Sequence, residues 1–374
     1  MTVSESGPTT MQVDVAEPGH GAPDDLRASP TRAGAGGTRR ATVRRAIDLG
    51  LRPGPWKRGL VLAAIALLLG LLLLLHGEIP DTGGLGSLVE TFLPWSGVLV
   101  PVLLAGALWR RSASAVVALL LPAVVWLTLF GGLLGDKSAA DGDLTVVSHN
   151  VGADNADPAG TAHDLSASGA DVLALVEVPE QARSTYEKEL AATYPHHTVR
   201  GTVGLWSKRP LSGTEPVDLQ QDVGPLADTE PAETGLTTAR ALRTTVATDR
   251  GPLAVYVAHL GSVRVDPRAG FGTDGRDRNA KALSRAVAAE RNERMVLLGD
   301  LNGTTDDRAL AGLTAQLRSA QNAAGDGFGF SWPATFPVVR IDQILVRGVQ
   351  PASSWVLPAT GSDHLPVAAG IDWG

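Results

Sequence analysis

Three short polar motifs crowd the last quarter of the chain: Gly299-Asp300-Leu301-Asn302, Arg340-Ile341-Asp342-Gln343-Ile344-Leu345 and Ser362-Asp363-His364, each following or ending a predicted strand. Their residue types suit the cleavage of a phosphate ester. That reaction needs a deprotonated water, a divalent cation on the phosphoryl oxygens and donors for the developing charge, which carboxylates, amides and imidazoles supply. Asp300 ends the apolar run Met295-Val296-Leu297-Leu298, a buried strand by its pattern, and Gly299 lets the backbone turn just before the acid. If the chain stays extended, Asn302 points to the same side as Asp300, so that one acid and one amide face one cleft. Asp342, set among Ile341, Ile344 and Leu345, is a carboxylate in need of a partner. Ser362-Asp363-His364 offers one, because a buried Asp orients and charges a His, and it leaves Asp363 free for a cation. Each motif alone reads equally as a polar turn; all three in one domain do not.

On these residues the chain resembles the endonuclease/exonuclease/phosphatase superfamily, the deoxyribonuclease-I-like fold, from about residue 144 to the C-terminus. Earlier motifs fit as well. Thr145-Val146-Val147-Ser148-His149-Asn150-Val151 looks like the opening strand, whose Asn helps to hold phosphate and metal. Val172-Leu173-Ala174-Leu175-Val176-Glu177-Val178 is similar to the strand ending in the metal-binding glutamate, with Val176 standing where many members carry Gln. Val255-Tyr256-Val257-Ala258-His259-Leu260 matches the strand whose His contacts the scissile phosphate. For the rest, the resemblance implies Asp300 polarising the attacking water with Asn302 beside it, Asp342 paired to His364, and Asp363 near the metal. The motif from Gly201 to Leu211, with Ser207-Lys208-Arg209-Pro210, is a fold marker. Asn150, Glu177 and Asp363 offer only oxygen ligands and the chain contains no cysteine, so the implied metal is hard, Mg²⁺ or Mn²⁺ before Zn²⁺. His196 and His197 read as core or surface residues.

Upstream, three uncharged apolar stretches have lengths that a bilayer explains: residues 59–77, 91–109 and 112–135. Basic residues before the first, Arg39, Arg40, Arg44, Arg45, Arg52, Lys57 and Arg58, put the N-terminus in the cytoplasm. The first connection carries Glu78, Asp81 and Glu90 with no Lys or Arg, as expected outside, and the second is only Arg110-Arg111. Three crossings place the rest of the chain on the outer face of the cell membrane. No charge inside the spans marks an ion path, so the helices are an anchor.

The expected organisation is a disordered cytoplasmic tail with a basic juxtamembrane segment (1–58), a three-helix transmembrane anchor (59–135), a polar linker (136–143) and a catalytic domain (144–374). For that domain the resemblance implies an α/β (α+β) four-layer sandwich, two packed mixed β-sheets flanked by helices. From residue 136 onward 21 Lys plus Arg face 30 Asp plus Glu, a net of −9 where tight non-specific DNA binding wants a basic face. Arg264, Arg268, Arg276, Arg278 and Lys281 read equally as a phosphate-gripping loop or as a solvated loop before a helix over 278–291. The acidic stretch 212–238 is a rim loop. These features describe a membrane-anchored metal-dependent phosphoesterase acting on nucleic acid, a phospholipid head group or a small phosphodiester. The competing reading is a non-catalytic receptor or scaffold on the same fold.

Overall fold

A computed structural model describes residues 54–139, 142–220, 239–266 and 270–373. The expected tail therefore lies outside the described residues as far as residue 53, as do residues 221–238 of the acidic loop and Arg268.

The apolar region forms helices Leu60–Leu74, Leu99–Trp109, Ala113–Ala118 and Leu120–Phe130, preceded on the second stretch by helix Leu85–Phe92 and a 3₁₀ segment, Leu93–Val98. Two continuous helical stretches are long and apolar enough to cross a membrane, Thr82–Trp109 and Ala113–Leu133. The first expected span is shorter than the sequence suggests: its helix stops at Leu74, fifteen residues in all. Beyond it the chain tightens into a 3₁₀ turn at His76–Glu78, where the carbonyls of His76 and Ile79 accept from the Arg308 guanidinium at 3.0 and 2.6 Å. Small residues pack between the helices, Ala63, Ala66, Ala107 and Ala115 among them, while Leu60, Val61, Leu68, Val102, Leu120 and Val124 stay exposed.

From Leu144 the described strands are β1 (Leu144–Asn150), β2 (Val172–Val176), β3 (His196–Arg200), β4 (Val203–Ser207), β5 (Leu211–Pro216), β6 (Ala241–Thr248), β7 (Gly251–His259), β8 (Arg264–Asp266), β9 (Gly270–Gly272), β10 (Met295–Asp300), β11 (Arg318–Ser319), β12 (Asp342–Arg347), β13 (Gln350–Val356) and β14 (Val367–Asp372). Twelve of them build two six-stranded mixed sheets, ordered β13-β14-β1-β2-β4-β3 and β11-β12-β10-β7-β6-β5, and β8 pairs with β9 in a separate two-stranded ribbon. Side-chain alternation explains the layers. In β2, Val172, Ala174 and Val176 enter the core between the sheets, while Leu173 and Leu175 face the outer helices Pro158–Ala167 and Glu180–Leu190. In β10, Val296 and Leu298 join the central core, and Met295 and Leu297 turn to helix Asp274–Ala289 with Ala280, Leu283 and Val287. A strand apolar on both faces is buried on both faces, and the result is the expected four-layer sandwich. Residues 136–139 lie along the domain: Lys137 N–H donates to Gly325 O and Ala139 N–H to Ala352 O.

Candidate active site

Strand register gathers the polar residues. In the second sheet Asp300 pairs across to His259 on β7 and to Asp342 on β12, so three of the motifs form one row at the sheet's end. In the first sheet Asn150 pairs with Val176, which puts Glu177 one residue beyond it. Packing of the two sheets brings these ends together: Asn150 Nδ2 donates to Asp300 Oδ2 at 3.1 Å. Asn150 Oδ1 accepts from Gly152 N–H, and Glu177 Oε2 from Ala153 N–H, so one turn holds both side chains.

Backbone geometry at the site departs from regular strand. Gly299 does not turn the chain, because β10 runs through to Asp300. Its role is close approach: at φ 144 an added Cβ would lie 1.8 Å from Ala258 O on the adjacent strand. Asn302 is not extended as the sequence suggested. It adopts φ 47, its N–H donates to Asp300 Oδ1 at 2.9 Å and its Nδ2 donates to Leu260 O at 3.1 Å. The cause is the tight turn after the strand, in which the Asp300 carboxylate caps the backbone two residues on. Glu177 is left-handed too, at φ 58. Such a conformation costs a non-glycine residue about 1–3 kcal/mol and persists where its surroundings over-determine it.

Around Asp300 Oδ2 stand His259 Nε2 at 3.9 Å and His364 Nε2 at 3.8 Å. His364 Nδ1 donates to Asp342 Oδ2 at 2.8 Å, and Ser331 Oγ donates to the same oxygen at 2.7 Å. Burial works against the His364 imidazolium, but the Asp342 carboxylate outweighs it and holds the pKa up at about 10. The opposite holds at His259, where burial, then Arg240 and His364, keep the ring neutral. Arg240 Nη2 lies 3.1 and 3.0 Å from the two ring nitrogens, and a guanidinium can only donate, which suits a neutral ring. Burial and the neighbouring Asp342 push the Asp300 carboxyl up to about 7. His149, between Ser148 and Asn150, is buried and held down at about 3 by that burial.

Among the described residues, the ligand atoms of Asp300, Asp342 and His364 all lie within 4.8 Å of one another. His364, charged against Asp342, has no lone pair at Nδ1 for a cation. Glu177 is a better first ligand: its carboxylate is 28% exposed and its Oε1 lies 3.3 Å from His259 Nε2. With the Asn150 amide oxygen on the same turn, the donors are oxygens, and they fit a hard divalent cation. Asp363 lies on the exposed rim, where its Oδ2 accepts from Trp332 Nε1 at 3.1 Å and its charge still helps to hold the His364 proton.

Ser331 carried no sequence signal, and Ser362, though inside a motif, has a role only the fold reveals. Ser331 reaches Asp342 from an irregular loop. Ser362 Oγ donates to Asn150 O at 2.7 Å and accepts from His364 N–H at 3.1 Å, tying the last motif to β1. Arg276 is not a phosphate-gripping loop residue: only 1% exposed, it is consumed inside the protein by Asp277, Asp307, Ser87 and the Asn302 carbonyl.

The model of the Endonuclease/Exonuclease/phosphatase family matches residues 147–364. No curated protein matches the chain in sequence. Solved structures similar to it include zebrafish (D. rerio) TDP2 complexed with a single-strand DNA product, at 19% identity, covering 61% of this chain and 98% of that one with a TM-score of 0.48. Sphingomyelinase C from Streptomyces griseocarneus is similar at 22% identity, 61% and 98% coverage and a TM-score of 0.45. Beta toxin from Staphylococcus aureus, a double mutant with bound magnesium ions, is similar at 17% identity, 61% and 99% coverage and a TM-score of 0.44.

Proposed function

This chain belongs to the endonuclease/exonuclease/phosphatase family, and from that premise we propose that it is a membrane-anchored, divalent-metal-dependent phosphodiester hydrolase. The observation that carries the reading is the row Asp342, Asp300, His259 across one sheet, met by Asn150 from the other. Asp300 takes the proton of the attacking water. A carboxyl with a pKa near neutrality is a stronger base than an ordinary Asp and is still ionised in good part at pH 7. His364, kept charged by Asp342, donates through Nε2 to the phosphoryl group, and the neutral His259 and the Asn150 amide add hydrogen bonds to its oxygens. Glu177 and Asn150 would hold Mg²⁺ or Mn²⁺, with Asp363 on the rim as the third candidate ligand. When bound, that cation neutralises charge on the phosphoryl oxygens.

Three crossings anchor the domain, with the N-terminus cytoplasmic and residues 136–374 outside. One contact supports this reading: the connection after the first helix touches the catalytic domain through Glu90 and Arg308 at 2.8 Å, which suits a common side for both. Among substrates, a phospholipid head group or small phosphodiester ranks above nucleic acid, since the domain is net acidic and Arg276 is not free to grip phosphate. Exposed Phe336 and exposed Trp332, the latter hydrogen-bonded to Asp363, suit a partly apolar substrate.

The test offers sphingomyelin, phosphoinositides, plasmid DNA and RNA to the full chain in micelles, with Mg²⁺ or with EDTA. Hydrolysis that EDTA stops and Asp300→Asn abolishes is expected, on lipid first. Silence on all four with either Mg²⁺ or Mn²⁺ present would favour the non-catalytic reading instead.

A further inference from the structure

The loop that follows Asp300 is gripped from an unexpected direction. Arg276 Nη1 donates to the Asn302 carbonyl and to Asp307 Oδ2, both at 2.9 Å. Its Nη2 donates to Ser87 Oγ at 2.9 Å, and Ser87 Oγ in turn donates to Asp307 Oδ2 at 2.5 Å. Ser87 comes from helix Leu85–Phe92, in the apolar region more than two hundred residues upstream, and is fully buried. One turn further along the same helix, Glu90, 1% exposed, accepts from the Arg308 backbone N–H at 2.9 Å and from its guanidinium at 2.8 Å. This short helix therefore holds the far end of the segment 302–308 directly, at Asp307 and Arg308, and reaches the Asn302 end through Arg276 of helix Asp274–Ala289. A separate contact fixes that helix: at Gly84, φ 71, an added Cβ would lie 1.9 Å from Phe271 O, so backbone packs directly on β9.

Buried ions are tolerated only with their partners in place, and loss of one partner leaves a desolvated charge. Arg276 with Asp307 inside the domain, and buried Glu90 with the partly exposed Arg308 across the contact, form such a set. Without Ser87 and Glu90, the turn that seats Asn302 against Asp300 loses its outer support.

We infer that helix Leu85–Phe92 is part of the catalytic unit: through Ser87 and Arg276 it acts as a positioning clamp that holds the left-handed turn at Asn302, and hence the Asp300 carboxylate, in the geometry that reacts. The inference rests on the phosphoesterase reading above. It assigns to the membrane-proximal helix a role besides anchoring, and it makes the catalytic domain incomplete when cut at residue 136. Ser87 and Arg276 are positioning residues and touch no substrate.

The experiment compares the full chain with its Ser87→Ala and Glu90→Gln variants, measuring kcat and KM with Mg²⁺ on whichever ester the wild type cleaves, and amide hydrogen exchange over 302–308. For Ser87→Ala we expect kcat down about tenfold with KM unchanged, faster exchange confined to 302–308, and a similar effect from Glu90→Gln. Unchanged exchange in both variants overturns the clamp. Faster exchange with an unchanged kcat also overturns it, leaving a contact that only joins the two parts. A wild type that cleaves nothing, with exchange that still responds, leaves the clamp standing and removes the phosphoesterase reading.

Discussion

Asp300 and His364 illustrate how two neighbouring groups are driven to opposite roles by what surrounds them. His364 keeps its proton to about pH 10, where a free imidazole loses it near 6.5. Folding therefore holds a proton that the unfolded chain has released over that window, so the stability it contributes is complete below about pH 6.5 and gone above about pH 10. Asp342→Asn should bring the His364 titration, followed by NMR, down by more than a unit and lower stability at pH 7 by about 3–5 kcal/mol, the usual result of breaking a buried pair. A His364 that still titrates near 10 in that variant would mean that Asp342 is not its counter-charge. Asp300 shifts with the same sign, though here it is the uncharged form that is favoured: raised to about 7 from 3.8, it binds a proton in the folded state that the unfolded chain lacks between those values. Its contribution is favourable below 3.8 and is lost as pH rises through 7. Asp300→Asn should thus melt higher than wild type at pH 8 and no higher at pH 4, while hydrolysis falls by about 10²–10⁴. The sequence shows the residue types and their order plainly, since carboxylate and imidazole at strand ends stand out against apolar runs. It does not show Ser331 or Arg276, because a serine in a loop and an arginine in a helix look the same whether buried or solvated.

At the scale of elements, the site depends on two strands approaching more closely than side chains permit. Gly299→Ala sets a Cβ against the Ala258 carbonyl and should cost about 3 kcal/mol or more by chemical denaturation, with turnover lost as β10 and β7 part. A variant of near wild-type stability would show that the strands can yield. Glu177 offers a sharper separation of roles: Glu177→Gly removes both the carboxylate and the left-handed strain, so it should raise the melting temperature while Mg²⁺-dependent activity falls by 10²-fold or more. Period-two alternation made the sandwich readable, because β2 and β10 are apolar on both faces and so must be covered twice. Left-handed turns at Glu177 and Asn302 were not readable. Neither residue is glycine: at Asn302 the Asp300 carboxylate caps the turn while Leu260 O and Arg276 hold it from other elements, and the Glu177 carboxylate is held by the Ala153 N–H. Helix Leu60–Leu74 was overestimated: the chain beyond it tightens into the 3₁₀ turn His76–Glu78 before Pro80, and the carbonyls of His76 and Ile79 accept from Arg308, far along the chain.

For the molecule as a whole, the proposed anchoring turns on which surfaces share a side of the membrane. Charge patterning in the sequence gives an orientation, but it treats the connection after the first helix as a passive loop. The contacts of Glu90 with Arg308, and of Trp95 with Phe330 at 5.7 Å between ring centroids, instead bind that connection and the adjoining helix to the catalytic domain. Trp95 Nε1 also donates to Val338 O, so both ends of the docked segment are fastened. The chain has no cysteine, which makes single introduced thiols clean reporters. Glu78→Cys and Arg291→Cys, both at exposed positions, should react with a membrane-impermeant maleimide on intact cells, whereas Arg111→Cys, also exposed, should react only after the cells are opened. The reverse pattern would keep the fold and invert the orientation, moving the hydrolase to the cytoplasmic face. Glu78 and Arg291 labelling from opposite sides would break the docked arrangement itself, since a helix cannot place Ser87 and Glu90 against Arg276 and Arg308 through a bilayer.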